Sequence, residues 1–208
     1  MKVFFKKSFI FISIMFLCLL SSAENNLGKI YKQLGLDEKI SYSADMEIEA
    51  PGGNNMVYKM FFKNGDIRSE GSQSGMNFIM IMKTNGTMFS YNDALKMWMK
   101  TEIGEMIEEK DLPNYEKTGT EDINGVSCSK FEAKDASTGY TAIVWTNDGM
   151  ILKNTTINPQ GVQQSVYYKN IQKTELEDAL FAPPQNANVQ DMGAMMKGIL
   201  SQSKEAAQ

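Results

Sequence analysis

Pairs of methionines with one residue between them are the feature of this sequence that could carry chemistry. Met80 and Met82 lie in "MNFIMIMK", and Met97 and Met99 lie in "KMWMK". Alternation along an extended strand puts the two members of each pair on one face. Thioether sulfurs are soft ligands that suit Cu(I) or Ag(I). The pairs could also fill an ordinary core or form an adaptable apolar surface, because methionine is flexible and polarizable.

The remaining composition weighs against catalysis. The chain contains 16 methionines, scattered over many segments, and no histidine. Without histidine, Ser-His-Asp and Cys-His mechanisms and nearly all catalytic zinc sites are excluded. The acidic run from Glu102 to Asp111 fits no calcium-loop spacing and is typical of a solvated helix face. We therefore expect a binding protein without enzymatic activity or cofactor, with Cu(I)/Ag(I) binding at Met80, Met82, Met97 and Met99 as the alternative.

The N-terminus predicts export. Residues 1–23 combine a lysine-containing start, the apolar run Phe9–Leu20 and the small residues Ser21-Ser22-Ala23, which is the pattern of a cleaved signal peptide. Its removal takes three of the 21 basic residues and none of the 25 acidic ones, which leaves a formal charge of −7. A net acidic domain is a poor candidate for binding nucleic acid. Only Cys128 then remains, so an intrachain disulfide is impossible, and a bacterial periplasm is the favoured compartment.

The sequence periodicity predicts one mainly β domain over residues 24–200, followed by a frayed polar tail at 201–208. Helical spacing in residues 25–36 predicts a short N-terminal helix. From Ile40 onward the apolar residues alternate with polar ones, which is typical of antiparallel strands with one wet face. Turn pairs such as Asn64-Gly65 and Asn124-Gly125 punctuate ten or eleven strands. A helical segment near residues 103–113 and a methionine-rich helix after Met192 complete the prediction, in which "EDALFAPP" ends the sheet region.

Several of the predicted strands are apolar on both faces. Ile79 and Ile81 oppose Met80 and Met82, so the sheet needs cover on both sides or lines a cavity. A curved sheet that wraps a hydrophobic ligand is one solution. The candidate lining residues are Met60, Phe62, Phe78, Met80, Met82, Met88, Met97, Met99 and Trp145. A surface that docks another protein is a third hypothesis, distinct from both ligand and metal binding.

The order of motifs resembles the LolA/LolB-type lipoprotein-carrier superfamily, and within it an uncharacterised domain-of-unknown-function group. The resemblance rests on "MVYKMFFKNGDIRSEG" followed by "GTMFSYNDALKMWMK", and later on "INGVSCSKFEAKD" followed by "YTAIVWTNDGMILKNTT". It covers roughly residues 40–185. This sequence departs from the carriers in having methionines where they have leucines and aromatic residues.

The resemblance implies a single curved antiparallel sheet that forms an incomplete β-barrel, with helical cover from both termini. It further implies that an acyl chain, carried free or on an acylated protein, binds the concave face and passes between membrane-associated donor and acceptor proteins. In the carriers an arginine near the third strand latches the lid. Arg68, the only arginine of the chain, stands at the matching position in "GDIRSEG".

Overall fold

The computed structural model describes residues 24–49, 55–73, 75–102 and 112–193. Helix α1 comes first (Glu24–Leu34), and a 3-10 helix (Asp178–Phe181) lies near the C-terminal end. The strands are β1 (Ser41–Glu49), β2 (Met56–Lys63), β3 (Asp66–Gln73), β4 (Met76–Met82), β5 (Thr87–Asn92), β6 (Met97–Glu102), β7 (Glu116–Ile123), β8 (Val126–Lys134), β9 (Thr141–Asn147), β10 (Met150–Ile157), β11 (Gln163–Lys173) and β12 (Val189–Asp191).

The twelve strands form one curved, unclosed sheet in the order β12-β6-β5-β4-β3-β2-β1-β11-β10-β9-β8-β7. Two meanders, β1 to β6 and β7 to β11, are joined side by side where β11 pairs with β1. Tight turns join neighbouring strands within each meander: Asn64-Gly65 and Asn124-Gly125 both have positive φ at each residue, as hairpins of the predicted type require. The predicted mainly β, curved and incomplete barrel is thus confirmed in its sheet.

The core lies on one face of this sheet, beneath α1. The alternation predicted for β1 is confirmed, since Tyr42, Ala44, Met46 and Ile48 are all buried on that face. One hydrophobic cluster joins α1 to eight consecutive strands, from β4 to β8 in sheet order. A flat sheet of eight strands would be about 34 Å wide, too wide for one helix to touch. This face is therefore the concave one, and the opposite face is called the outer face below.

Two strands were not predicted, and both are sheet edges. β7 is exposed over seven of its eight residues, so its sequence "EKTGTEDI" carries no apolar alternation. β12 has only three residues and pairs in parallel with β6. The prediction that "EDALFAPP" ends the sheet region was wrong, because the chain returns to the free edge of β6 after the double proline. The predicted antiparallel sheet is confirmed from β1 to β11, and β12 adds one parallel pair to it.

Of the three predicted helices, the structure describes the N-terminal one. α1 ends at Leu34, and Gly35 follows with a φ of 64°, which confirms the predicted stop. The predicted central and C-terminal helices fall mostly on residues 103–111 and 194–208, outside the described residues, as do the signal peptide and the polar tail. In the described part of the chain, no helix has the length and apolar character that a membrane crossing requires.

Candidate apolar binding face

Eight of the nine predicted lining residues lie on the concave face. The register of the strands places them in rows across the sheet from β2 to β6. In one row, Met60 pairs with Ser69, Ser69 with Met80, Met80 with Ser90, and Ser90 with Met99. A neighbouring row brings Met82 directly opposite Met88. The set, called the methionine face below, is Met60, Phe62, Phe78, Met80, Met82, Met88, Met97 and Met99.

Burial falls along the methionine face from the middle of the sheet towards β6. Met60, Met80 and Met82 are buried, whereas Met97 and Met99 are only partly buried. Neither of these last two belongs to a described hydrophobic cluster. The β2 end of the methionine face therefore belongs to the core. At the β6 end, the described residues leave the methionine face partly uncovered.

Helix α1 closes the deep end of the concave face. Ile30, Tyr31 and Leu34 are its buried residues. Tyr31 meets the ring of Phe62 edge-on at 6.2 Å between centroids. The end of the helix is held by a hydrogen bond of 3.0 Å that the Thr146 hydroxyl donates to the carbonyl of Leu34. Gln33 adds two hydrogen bonds: its Nε2 donates to Asn114 Oδ1 at 3.3 Å, and its Oε1 accepts from the Tyr115 N–H at 3.1 Å. The helix is thus held by packing and by polar contacts near its C-terminal end.

The space enclosed under α1 is small. A cavity of about 20 Å³ lies between α1 and the sheet, lined by Tyr31, Leu36, Tyr42, Met60, Phe62, Ile67, Gly149, Ile151 and Tyr168. Ligand pockets for drug-sized molecules are about 300–1,000 Å³, so this cavity has room for about one water molecule. An acyl chain would have to lie on the open, β6 end of the methionine face or displace α1.

Trp145 is the predicted lining residue that the structure separates from the others. It lies on the outer face, where it packs with Cys128 and Ile123. Its indole Nε1–H donates to Glu121 Oε2 at 3.1 Å, and the Lys153 ammonium stands 4.5 Å from the ring centroid. In "TAIVWT", Val144 and Trp145 are adjacent and both are apolar, so the sequence alone does not tell which of them faces inward.

Glu121 gives the Trp145 contact a pH dependence. The Trp145 hydrogen bond, and then the Lys130 ammonium, hold the pKa of Glu121 below its ordinary value of 4.5. A lowered pKa means that this carboxylate contributes stability above its ordinary pKa, and that the contribution is lost as the pH falls through the folded-state value. We expect Glu121→Gln to lose less stability than the wild type between about pH 6 and pH 3. Urea unfolding followed by tryptophan fluorescence at both pH values measures this, and equal losses in the two proteins would contradict it.

Arg68 fastens a covering segment, and that segment lies on the outer face. Its Nη1 donates to the carbonyl of Leu180 at 2.9 Å, and its Nε and Nη2 both donate to Glu70 Oε2. Lys63 acts beside it, with Nζ 2.9 Å from Asp178 Oδ1 and a second contact to the Leu176 carbonyl. The segment 174–188, called the outer strap below, therefore lies across the sheet on the side opposite α1.

We expect Arg68→Gln to destabilise the protein by about 1.5–3 kcal/mol, because it removes charge-assisted hydrogen bonds from a mostly buried side chain. Chemical denaturation and the rate of proteolysis within the outer strap are the measurements. Lys96→Gln is the matched control: the Lys96 side chain, which pairs with Asp93, is 70% exposed, so the variant should be about as stable as the wild type. A stable Arg68→Gln with an intact strap would show that Arg68 anchors nothing.

The two methionine pairs of the alternative metal site lie on strands that are not neighbours in the sheet. Strand β5 lies between the pairs, so Met80 and Met99 stand two strand spacings apart, about 10 Å between backbones. Cys128 is on the outer face, buried, with its thiol donating to the carbonyl of Val126. Among the described residues, no three histidine, cysteine, aspartate or glutamate side chains group as ligands of one ion. The geometry does not favour a four-methionine site.

With the fold and this face described, the chain can be compared with known proteins. Residues 43–165 match the model of the domain of unknown function DUF4412, which is more than half of the chain. The chain belongs to the DUF4412 family. The prediction of an uncharacterised domain-of-unknown-function group is thereby confirmed. The DUF4412 match runs from β1 into β11, so α1, the outer strap and β12 lie outside it. None of the curated proteins matches this DUF4412 sequence.

Solved structures extend the comparison to the fold. An uncharacterized conserved protein from Thermus thermophilus is 11% identical, with a TM-score of 0.57, and the match covers 79% of this chain and 96% of that one. PNGF-II is 16% identical with a TM-score of 0.52, over 76% of this chain and 32% of that one. Similar structures also include a LolA superfamily protein from Nitrosomonas europaea, 12% identical with a TM-score of 0.38, over 75% of this chain and 97% of that one. At 11% and 16% identity, the matches to the Thermus thermophilus protein and to PNGF-II show a likeness in fold alone.

Proposed function

We propose that this DUF4412 protein is an exported, non-enzymatic binding protein that sequesters an apolar ligand, a lipid or the acyl chain of a protein, on its methionine face. The observation that carries the proposal is the methionine face itself, which runs from β2 to β6, is buried at one end and is only partly covered by the described residues at the other.

The free energy of binding would come from removing the ligand from water. Each buried methylene contributes about 0.8 kcal/mol. Methionine side chains adjust to ligands of varied shape, which suits a lipid family better than one fixed molecule. Ser69 and Ser90, which stand between the methionines in the same row, carry no charge that would oppose an acyl chain.

Access to the deep end depends on α1. A ligand can bind first at Met97 and Met99 and then extend under the helix as the helix shifts. Such a shift breaks the Thr146 hydrogen bond and separates Tyr31 from Phe62. In the periplasm, membrane-associated donor and acceptor proteins could drive loading and release by binding α1 in its two positions.

Native mass spectrometry of the protein purified from periplasm tests the proposal, with binding of the neutral apolar dye N-phenyl-1-naphthylamine as a second readout. We expect a lipid-sized mass on part of the population, and enhanced dye fluorescence that added lipid reverses. A protein that emerges without lipid and does not bind the dye overturns the proposal.

Titration with Cu(I) under reducing conditions addresses the metal hypothesis, for which we expect no stoichiometric uptake.

A further inference from the structure

The cavity under α1 is unusual for its tyrosines. Tyr31 of α1 and Tyr42 of β1 line it, and they are only 5% and 4% exposed. Tyr168 of β11 completes the phenol-bearing wall. The other lining residues, apart from Gly149, are apolar side chains. Three phenol groups therefore line one cavity on the concave face.

The hydroxyls of Tyr31 and Tyr42 make no hydrogen bond with the described residues, and neither is among the oxygens that are sealed from a water-sized atom, so both reach space that a water or a ligand atom can occupy. Buried polar groups in proteins almost always have a partner, which is another protein group, an ordered water or a ligand. Tyrosine hydroxyls in particular are usually paired when buried. Two such phenols beside a cavity large enough for one polar atom indicate that something with an oxygen or nitrogen binds there.

The charges near the cavity select the chemistry of that atom. No lysine or arginine lines it. Burial first, and then the neighbouring Tyr42, Glu38 and Asp66, raise the pKa of Tyr31 well above its usual range, so Tyr31 remains a protonated donor. The same acidic residues would repel a carboxylate, and burying an unpaired carboxylate is costly in any case. A neutral acceptor oxygen is therefore favoured.

The cavity shares residues with the methionine face. Met60 and Phe62 belong to both, and Ile67, which lines the cavity, faces Met82 across β3 and β4. Met82 in turn faces Met88 on β5. Ile67 and Met82 are buried, so a ligand with its polar end in the cavity would lay its chain across β3, β4 and β5 only after these side chains and α1 shift.

We propose that this cavity, called the tyrosine pocket below, takes the neutral polar end of an acyl ligand, an ester or amide carbonyl. The carbonyl oxygen accepts hydrogen bonds from Tyr31 and Tyr42 while the chain lies on the methionine face. The inference rests on the proposed function and adds to it a ligand class: acyl esters and amides in preference to free fatty acids.

The test is displacement of bound N-phenyl-1-naphthylamine from the full-length mature protein at pH 8, by 1-monopalmitoylglycerol and by palmitate. For the wild type we expect the ester to act at concentrations at least about tenfold lower than palmitate. Tyr42→Phe should weaken the ester about five- to tenfold relative to palmitate, as expected for the loss of one neutral hydrogen bond. Tyr31→Phe should do the same from the helix side.

Tyr58→Phe is the matched control. Tyr58 is buried on the concave face, does not line the tyrosine pocket, and its hydroxyl contacts the sulfur of Met56. We expect its ester affinity to equal that of the wild type. Equal ester affinity in Tyr42→Phe and the wild type would overturn the inference and leave a pocket for water only. Palmitate as strong as the ester would overturn it too, whereas failure of the wild type to bind the dye would overturn the proposed function itself.

Discussion

Met88→Glu should abolish binding of the apolar dye, with a loss of affinity of at least about a hundredfold. Met88 lies in the middle of the methionine face, directly opposite Met82, and is partly buried. A carboxylate at this position must either lose its hydration beneath the ligand or keep water on the face, and each costs several kcal/mol. Fluorescence titration of the mature protein measures the affinity, and circular dichroism establishes that the variant is folded.

The control for this prediction is Leu95→Glu, which adds the same charge in the turn between β5 and β6. Leu95 is 64% exposed, so we expect dye affinity and stability close to those of the wild type. Met99→Glu provides a second substitution on the methionine face at a less buried site, and it should also lose most dye binding. Unchanged affinity in folded Met88→Glu and Met99→Glu would show that the ligand does not lie on this face.

Phe181→Ala should lower the free energy of unfolding by about 3–5 kcal/mol, the usual cost of emptying a phenylalanine site in a core. Phe181 is 2% exposed and is the deepest residue of the outer strap. It packs in one cluster with Ile81 and Trp98, on the side of the sheet opposite α1. Since small domains have only about 5–15 kcal/mol of stability, this is a large fraction of the total.

Urea unfolding at neutral pH measures the effect, and Val189→Ala is a suitable control because Val189 follows the strap and is 41% exposed. We expect the control to change the stability by no more than about 0.5 kcal/mol. Trp98, which the strap shields, should also become more accessible to acrylamide in Phe181→Ala. A stability equal to that of the wild type would mean that the outer face needs no cover, and that its apolar residues serve another purpose.

The outer strap and α1 cover the two apolar faces of the sheet in different ways. The outer strap is fastened by Arg68 and Lys63 and by buried Phe181 and Leu176. α1 is held by packing and by hydrogen bonds of Leu34 and Gln33 near its C-terminal end. We propose that α1 is the cover that moves, because it lies over the proposed binding face. Arg68, which the carrier resemblance identified as a latch, fastens the outer strap on the opposite face.

The sequence by itself determined the strands whose residues alternate and the turns that join them. Tyr42 to Ile48 alternate cleanly because one face of β1 is buried and the other is wet. Asn-Gly pairs specify hairpins because both residues tolerate positive φ. The same local logic placed Met80 with Met82, and Met97 with Met99, each on one face. It could not find β7 and β12, because edge strands bury too little to leave a periodic pattern.

The tertiary structure decided which face is inside and what covers each one. Alternation fixes the relative side of neighbouring residues, but both sides of β4 are apolar, so Ile81 and Met82 look equivalent in the sequence. The outer strap, about a hundred residues further along the chain, makes Ile81 part of the outer cluster. Contacts between distant segments likewise place Trp145 and Arg68 on the outer face. Contacts between distant segments carry no local period, and for that reason only the folded chain shows a methionine face that ends in a pocket of tyrosines.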